Sequence, residues 1–195
     1  MTREIRERYE RYRSADLTWD PVKGGRRPLI CWVDSSFSFL GEDLDGSGFV
    51  EVSGRMLGGR YYPPDAIDFF GPWEDEGREL KVGDRILQRA RLFPFSNWPV
   101  LWAMTEVFVA ERTSTTCHIG YVTTRRHFGR GLWQARLSRT EEGLELEVES
   151  ISGPQSWLFW VGLPLGRYLQ QRAWRRAILE FARIVEGSSV QVVQG

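Results

Sequence analysis

The 195-residue sequence has almost no lysine: Lys23 and Lys81 are the whole supply, and every other cationic side chain is arginine. Cysteine and histidine are as scarce, with two of each. Cys31 and Cys117 lie far apart with no CxxC spacing, which excludes a thioredoxin-type pair and leads us to expect reduced thiols in the cytoplasm. A structural zinc ion takes about four nitrogen or sulfur ligands, and Cys31, Cys117, His118 and His127 exhaust them, so no metal is expected. An excess of either charge is lacking too, since 26 basic and 26 acidic residues balance. Neutralising phosphates needs a basic surplus, so no nucleic-acid partner is expected. The longest apolar run, residues 157–165, is broken by Gly162 and Pro164 and falls well short of the roughly 20 residues of a membrane span. The charged first residues lack the apolar stretch of a secretory signal. No GxxxxGK[ST], GxGxxG or GxSxG motif occurs, so nucleotide hydrolysis, dinucleotide binding and serine-hydrolase chemistry lose their usual support, and no cofactor is expected.

What is present is a globular composition, 42% hydrophobic and 27% charged, with 13% aromatics and nine tryptophans. The length suits one domain with a substantial core. Residues 3–13 read as a short polar helix, with Glu4 facing Arg8 and Glu7 facing Arg11, on the surface or fraying. Residues 29–40 read as a strand. An acidic turn, 41–48, leads to a second strand at 49–57, and Pro63-Pro64-Asp65 opens a short helix through about residue 70. Five strands follow near 84–93, 100–111, 115–124, 132–139 and 144–151, with the short connections of a meander. In the last hairpin Leu144, Leu146 and Val148 alternate with Glu145, Glu147 and Glu149. A turn at 140–143 then pairs Leu137 with Leu146, Ala135 with Val148 and Arg136 with Glu147. From residue 164 to 185 the period becomes helical: Leu165, Leu169, Ala173 or Trp174, Ala177 or Ile178, Phe181 and Val185 make one stripe, and Gly187 is the candidate stop.

These elements define an α+β fold in which a curved antiparallel β-sheet grips a long C-terminal α-helix, a START-like or helix-grip layout. The expected division is a helical extension at 1–16, a single domain at 17–187 with an insertion or hairpin at 25–47, and a tail at 188–195.

Ser152-Gly153-Pro154, then Leu158, Gly162, Pro164, Arg167 and Gln170, is similar to the "SRP…L…G.P..R..Q" signature of the bacterial and plant domain-of-unknown-function family numbered nineteen-ninety. Tyr121-Val122-Thr123-Thr124, His127 and Gly131 resemble that family's "YGT…H…G" stretch. Val82-Gly83-Asp84, Leu57-Gly58-Gly59 with Tyr61, Ala66 and Trp73, and Leu17-Thr18-Trp19 with Gly24 follow its order, so the resemblance runs from about residue 17 to 185. It departs at Gly153, where the family has Arg, and at Val122, where it has Gly. The resemblance implies a single START-like domain and carries no reaction and no catalytic residue.

Several constellations could carry chemistry. Asp43, Asp45, Ser47, Gly48 and Val50 resemble the first positions of an EF-hand loop, but Gly54 stands where the bidentate Glu belongs, and a hairpin turn is the competing reading. Cys117 and His118 are adjacent on a strand and point to opposite faces, so they form no thiolate–imidazole pair. Glu106 reads as sharing a face with Met104 and Phe108, opposite Tyr121. There it is either a polar anchor in an apolar cup or a structural hydrogen bond. His127 sits among Arg125, Arg126 and Arg130, as an anion or acid/base site or a plain turn. The functional expectation is a hydrophobic or amphipathic small molecule, lipid included, bound between sheet and helix. Trp102, Phe108, Trp133 and Trp174 would wall that cavity, and Glu106, Tyr121 and His127 would orient a polar end. Two alternatives stand beside it: an enzyme in the same cavity with Glu106 or His127 as general acid/base, and a protein-interaction module around Trp157 and Trp160.

Overall fold

Period-2 alternation through the middle of the chain becomes an antiparallel meander, as the sequence predicts. The computed structural model describes residues 1–19, 32–91, 100–155 and 157–192, with backbone alone at 157–167, 169 and 188–192. In chain order the elements are α1 (Arg3–Tyr12), β1 (Trp32–Gly41), α2 (Ser47–Leu57), β2 (Ile67–Phe70), α3 (Pro72–Glu76), β3 (Arg85–Arg91), β4 (Val100–Arg112), β5 (Thr116–Thr123), β6 (Gly129–Arg139), β7 (Leu144–Pro154) and α4 (Trp157–Val192). The strands form one sheet in the order β1-β7-β6-β5-β4-β3-β2, every neighbour antiparallel. This curved sheet with its C-terminal helix is the α+β helix-grip arrangement. Its inner face packs against α2 and α4.

The β6–β7 register is the one read from sequence, with Leu137 opposite Leu146, Ala135 opposite Val148 and Arg136 opposite Glu147. Leu137, Leu144 and Leu146 are fully buried, each contributing about 1.5–3 kcal/mol by leaving water. The stripe of α4 meets them: Ala173, Ala177, Phe181 and Val185 are all buried. The helix is longer than expected, because it begins seven residues before Pro164 and passes through Gly187 to Val192. Leu165 and Leu169 of the stripe have side chains outside the described residues, as do Trp157 and Trp160 of the expected interaction surface.

Three local expectations are corrected. The stretch 49–57 is not a strand but α2: Phe49, Val52, Ser53, Met56 and Leu57 are buried at helical spacing. The turn before it therefore leads from strand to helix and is no hairpin. Its Asp43 carboxylate is buried and caps α2, accepting from Gly48 N (2.9 Å) and Phe49 N (3.1 Å), with Arg139 Nε 3.6 Å away. Asp45 accepts from the backbone and hydroxyl of Ser47. Residues 63–67 make a single turn, after which the chain extends into β2, and the proline-led helix is α3, with Pro72 at its start. Within the span 25–47, expected as an insertion or hairpin, β1 is an edge strand of the sheet, and residues 25–31 lie outside the described residues.

Helix α1 docks against the outer face of the sheet instead of fraying. Tyr9 packs on Leu87 and Met104, with Ile5, Tyr12, Phe70 and Trp102 around them. The Arg8 guanidinium lies 4.5 Å from the Trp102 ring centroid, a cation–π contact between α1 and β4.

Candidate functional site

The inner face of the sheet changes character along its strands. Toward the β4–β5 and β6–β7 turns it is apolar: Cys117, Ile119, Leu137, Leu144 and Leu146 face α2 and the second half of α4. Toward the opposite end, where β7 hands over to the start of α4, polar side chains are buried: Gln88, Thr105, Thr123 and Ser150. Gln88 Nε2 donates to Thr105 Oγ1 at 3.1 Å, and Thr123 Oγ1 accepts from Gly131 N at 2.9 Å.

A layer of rings lies between these zones. Trp133 stacks on Tyr61 (centroids 5.0 Å apart, 10° between planes) and on Tyr121 (5.2 Å, 20°), while Trp174 meets Trp133 edge-on at 5.9 Å. Tyr62 and Phe69 complete the layer around Tyr61. Trp174 Nε1 donates to Ser36 Oγ at 3.2 Å, tying α4 to β1. Over this stretch the hollow expected to stay open is occupied by stacked rings. Burial holds the phenols of Tyr61, Tyr62 and Tyr121 well above the usual tyrosine range, so all three are neutral donors. The Tyr61 hydroxyl, in a side chain 1% exposed, has no hydrogen-bond partner among the described residues. A buried unpaired hydroxyl costs about 1–3 kcal/mol.

Of the residues singled out from the sequence, the structure brings Tyr121, Trp133 and Trp174 together on the inner face. Trp102, Glu106 and Phe108 are on the outer face. Trp102 lies under α1, and Phe108 packs over Gly120 beside Gln134. Glu106 pairs with Arg85 at 2.7 Å, and Arg85 in turn donates to Ala15 O, strapping the segment after α1 to the sheet. Two departures from a regular hairpin explain the correction. The β4–β5 connection sets Arg112 opposite Cys117, two residues later than a tight turn, which leaves faces unchanged. A bulge between Val107 and Val109 then shifts the register by one, so Glu106 faces Val122 while Tyr121 faces Val107. One residue of slip turns a side chain to the other face.

His127 occupies the β5–β6 turn, ring stacked on Phe128 at 4.2 Å, with Nδ1 accepting from Gly129 N at 2.9 Å. Burial lowers its pKa to about 4, so the imidazole is neutral at pH 7. Cys117 is fully buried and its thiol is pushed up to about 12 by desolvation, which makes it inert as a nucleophile. His118 points to the outer face, its Nε2 3.1 Å from Gln134 Oε1, and Gln134 Nε2 donates to Glu149 at 2.6 Å. These three line an open outer cleft of about 370 Å3 with Ser35, Phe37, Arg136 and Glu147. Among the described residues no group of His, Cys, Asp and Glu is disposed to hold a metal ion. Both acidic residues of the EF-hand-like turn are engaged by the start of α2. Cys31 lies outside the described residues.

The family-like motifs have structural explanations. Gly83 adopts φ +89°, and Asp84 after it accepts a two-pronged bond from Arg78 (2.6 and 2.9 Å) and a third from Lys81 N. Gly131 adopts φ +141°, and a Cβ there would lie 1.7 Å from Ile151 O. Sequence reasoning missed Tyr61, Tyr62 and Gln88. The Tyr61-Tyr62 pair just after Gly58-Gly59 was the available signal, since tyrosines beside a chain reversal are positioned to turn inward.

Fold and inner face together define a helix-grip protein whose sheet carries a layer of packed aromatic rings and a partly polar end. Within that class, the family model described as "Domain of unknown function (DUF1990)" matches residues 66–179, and the chain belongs to that family. The match leaves out the resemblances seen at 17–24 and 57–61. No curated protein matches. Among solved structures, TTHA0849 from Thermus thermophilus is similar over 82% of this chain and 99% of its own, at 10% identity and a TM-score of 0.50. The protein of unknown function SA2116 from Staphylococcus aureus covers 82% of this chain and 96% of its own at 7% identity and TM-score 0.49. A ginseng major latex-like protein 151 from Panax ginseng covers 81% and 94% at 11% identity and TM-score 0.41. The first of these likenesses supports the fold and nothing further. Among the described residues no helix is long and apolar enough to cross a membrane.

Proposed function

We propose that the chain binds a hydrophobic or amphipathic small molecule between the inner face of the sheet and the first half of α4. The observation that carries this reading is the Tyr61 hydroxyl, buried in the ring layer and without a hydrogen-bond partner among the described residues. A neutral phenol in that position donates to a ligand oxygen, while the edge of the ring layer formed by Trp133, Tyr121 and Trp174 bounds its apolar body. Gln88 and Thr105 supply further polar contacts next to Tyr121. Such a mix of apolar wall and few polar groups is the usual lining of a small-molecule site. The free buried Cys117 is in keeping with a cytoplasmic location. Glu106, ion-paired on the outer face, is no part of this site.

The test is native mass spectrometry of the protein as expressed, together with titration of 1-anilinonaphthalene-8-sulfonate read by energy transfer from tryptophan. A retained small molecule, or saturable dye binding weakened about tenfold by Tyr61→Phe, is the expected result. A protein that carries nothing and shows no saturable dye binding refutes the reading.

A further inference from the structure

The two edges of the described sheet are unlike. At one edge β2 has four residues, and Asp68 within it is pinned by Arg89 and Arg91. At the other, β1 has ten residues, about 33 Å of strand, with no proline and no lysine. Its inner row, including Ser36 and Leu40, packs toward α4. Its outer row is Val33, Ser35, Phe37 and Phe39, and the three apolar members are 59%, 60% and 51% exposed. Natural edge strands are blunted by shortness, lysine, proline or cover, whereas a long strand with an exposed apolar row is a template for another strand.

We propose that β1 pairs antiparallel with β1 of a second copy of this chain, joining the two sheets edge to edge across a two-fold axis at Ser36. The residue pattern selects this occupant because it is complementary to itself in that register. Val33 of one copy lies opposite Phe39 of the other, Ser35 opposite Phe37, Asp34 opposite Ser38, and Ser36 opposite itself. Apolar side chains meet each other or a serine, and no like charges meet. Moving the axis to Asp34 sets two carboxylates face to face, and moving it to Phe37 sets Asp34 against Leu40. Cross-strand pairs of this kind are the unit of sheet stabilisation. The contact is a strip about 33 Å long and roughly 12 Å wide, about 400 Å2 per copy. That is about half the standard protein–protein interface, so the dimer is reversible and concentration-dependent.

Sedimentation equilibrium over a wide concentration range tests the proposal, with reducing agent present to keep disulfides out of the result. The mass is expected to rise from the 22.6 kDa of one chain to twice that value and stop there. The double variant Phe37→Lys, Phe39→Lys should stay at the single-chain mass with unchanged far-ultraviolet circular dichroism, because both rings are more than half exposed and the fold does not depend on them. Val33→Glu alone and Phe39→Lys alone should each weaken association about tenfold. Their equimolar mixture should recover it, since the introduced carboxylate and ammonium then face each other. A native chain that stays single at every concentration overturns the proposal. So does a mass that grows past two copies, or a double variant that associates as well as the native chain.

Discussion

Replacing Asp43 by alanine tests the account of how the acidic turn works. The carboxylate is almost wholly buried and accepts two backbone N–H groups from the first turn of α2, at 2.9 and 3.1 Å, with Arg139 behind it. Removing a helix cap costs about 0.5–2 kcal/mol, and leaving buried N–H groups unpaired adds roughly 1–3 kcal/mol. We therefore expect Asp43→Ala to lose about 3 kcal/mol. In a chain of this size that corresponds to a fall in Tm of about 6–12 °C. Asp43→Asn retains one acceptor and should lose about half as much. Asp45→Ala should lose under about 1 kcal/mol, because its bonds to Ser47 are exposed. Urea unfolding followed by circular dichroism reads all three. An Asp43→Ala variant within about 0.5 kcal/mol of the native chain would falsify the capping role. Millimolar calcium should leave the native midpoint unchanged, since both carboxylates are already engaged; a calcium-dependent rise in stability would restore the metal reading.

Other perturbations have equally defined outcomes. His127 has a folded-state pKa near 4 against 6.5 for the free side chain. The unfolded chain therefore takes up the proton first, so this group's contribution is complete above pH 6.5 and is lost as pH falls toward 4. Stability of His127→Asn should fall less steeply than that of the native chain across that window, and parallel curves would count against a buried neutral imidazole. Gly131→Ala should fail to yield folded protein, because its Cβ would overlap Ile151 O at a positive φ; a soluble variant with native Tm contradicts the geometry. Tyr61→Phe should raise the stability of ligand-free protein by about 1 kcal/mol, as the unpaired hydroxyl disappears, and a loss of similar size would mean the hydroxyl has a partner in the free state.

Residue pattern alone determined the meander, the pairing of Leu137 with Leu146, and the stripe from Ala173 to Val185. Each follows from local periodicity, in which a one-residue error sets apolar groups against charges. The family resemblance was legible for a related reason: Gly83, Asp84 and Gly131 are demanded by backbone geometry, and such demands leave a local signature. Tertiary structure decided the rest. Phe49, Val50 and Val52 have strand-like composition, and only the buried Asp43 cap and the packing of Val52 and Met56 under α4 make that stretch helical. The face taken by Glu106 turned on a single bulge in β4, which no alternation rule reveals. The inward placement of Tyr61 depended on a chain reversal stacking it against Trp133, a residue 72 positions away in the sequence numbering. Periodicity sets which side of an element is apolar; what that side meets, and which polar atom is left without a partner there, depends on contacts between segments distant in sequence.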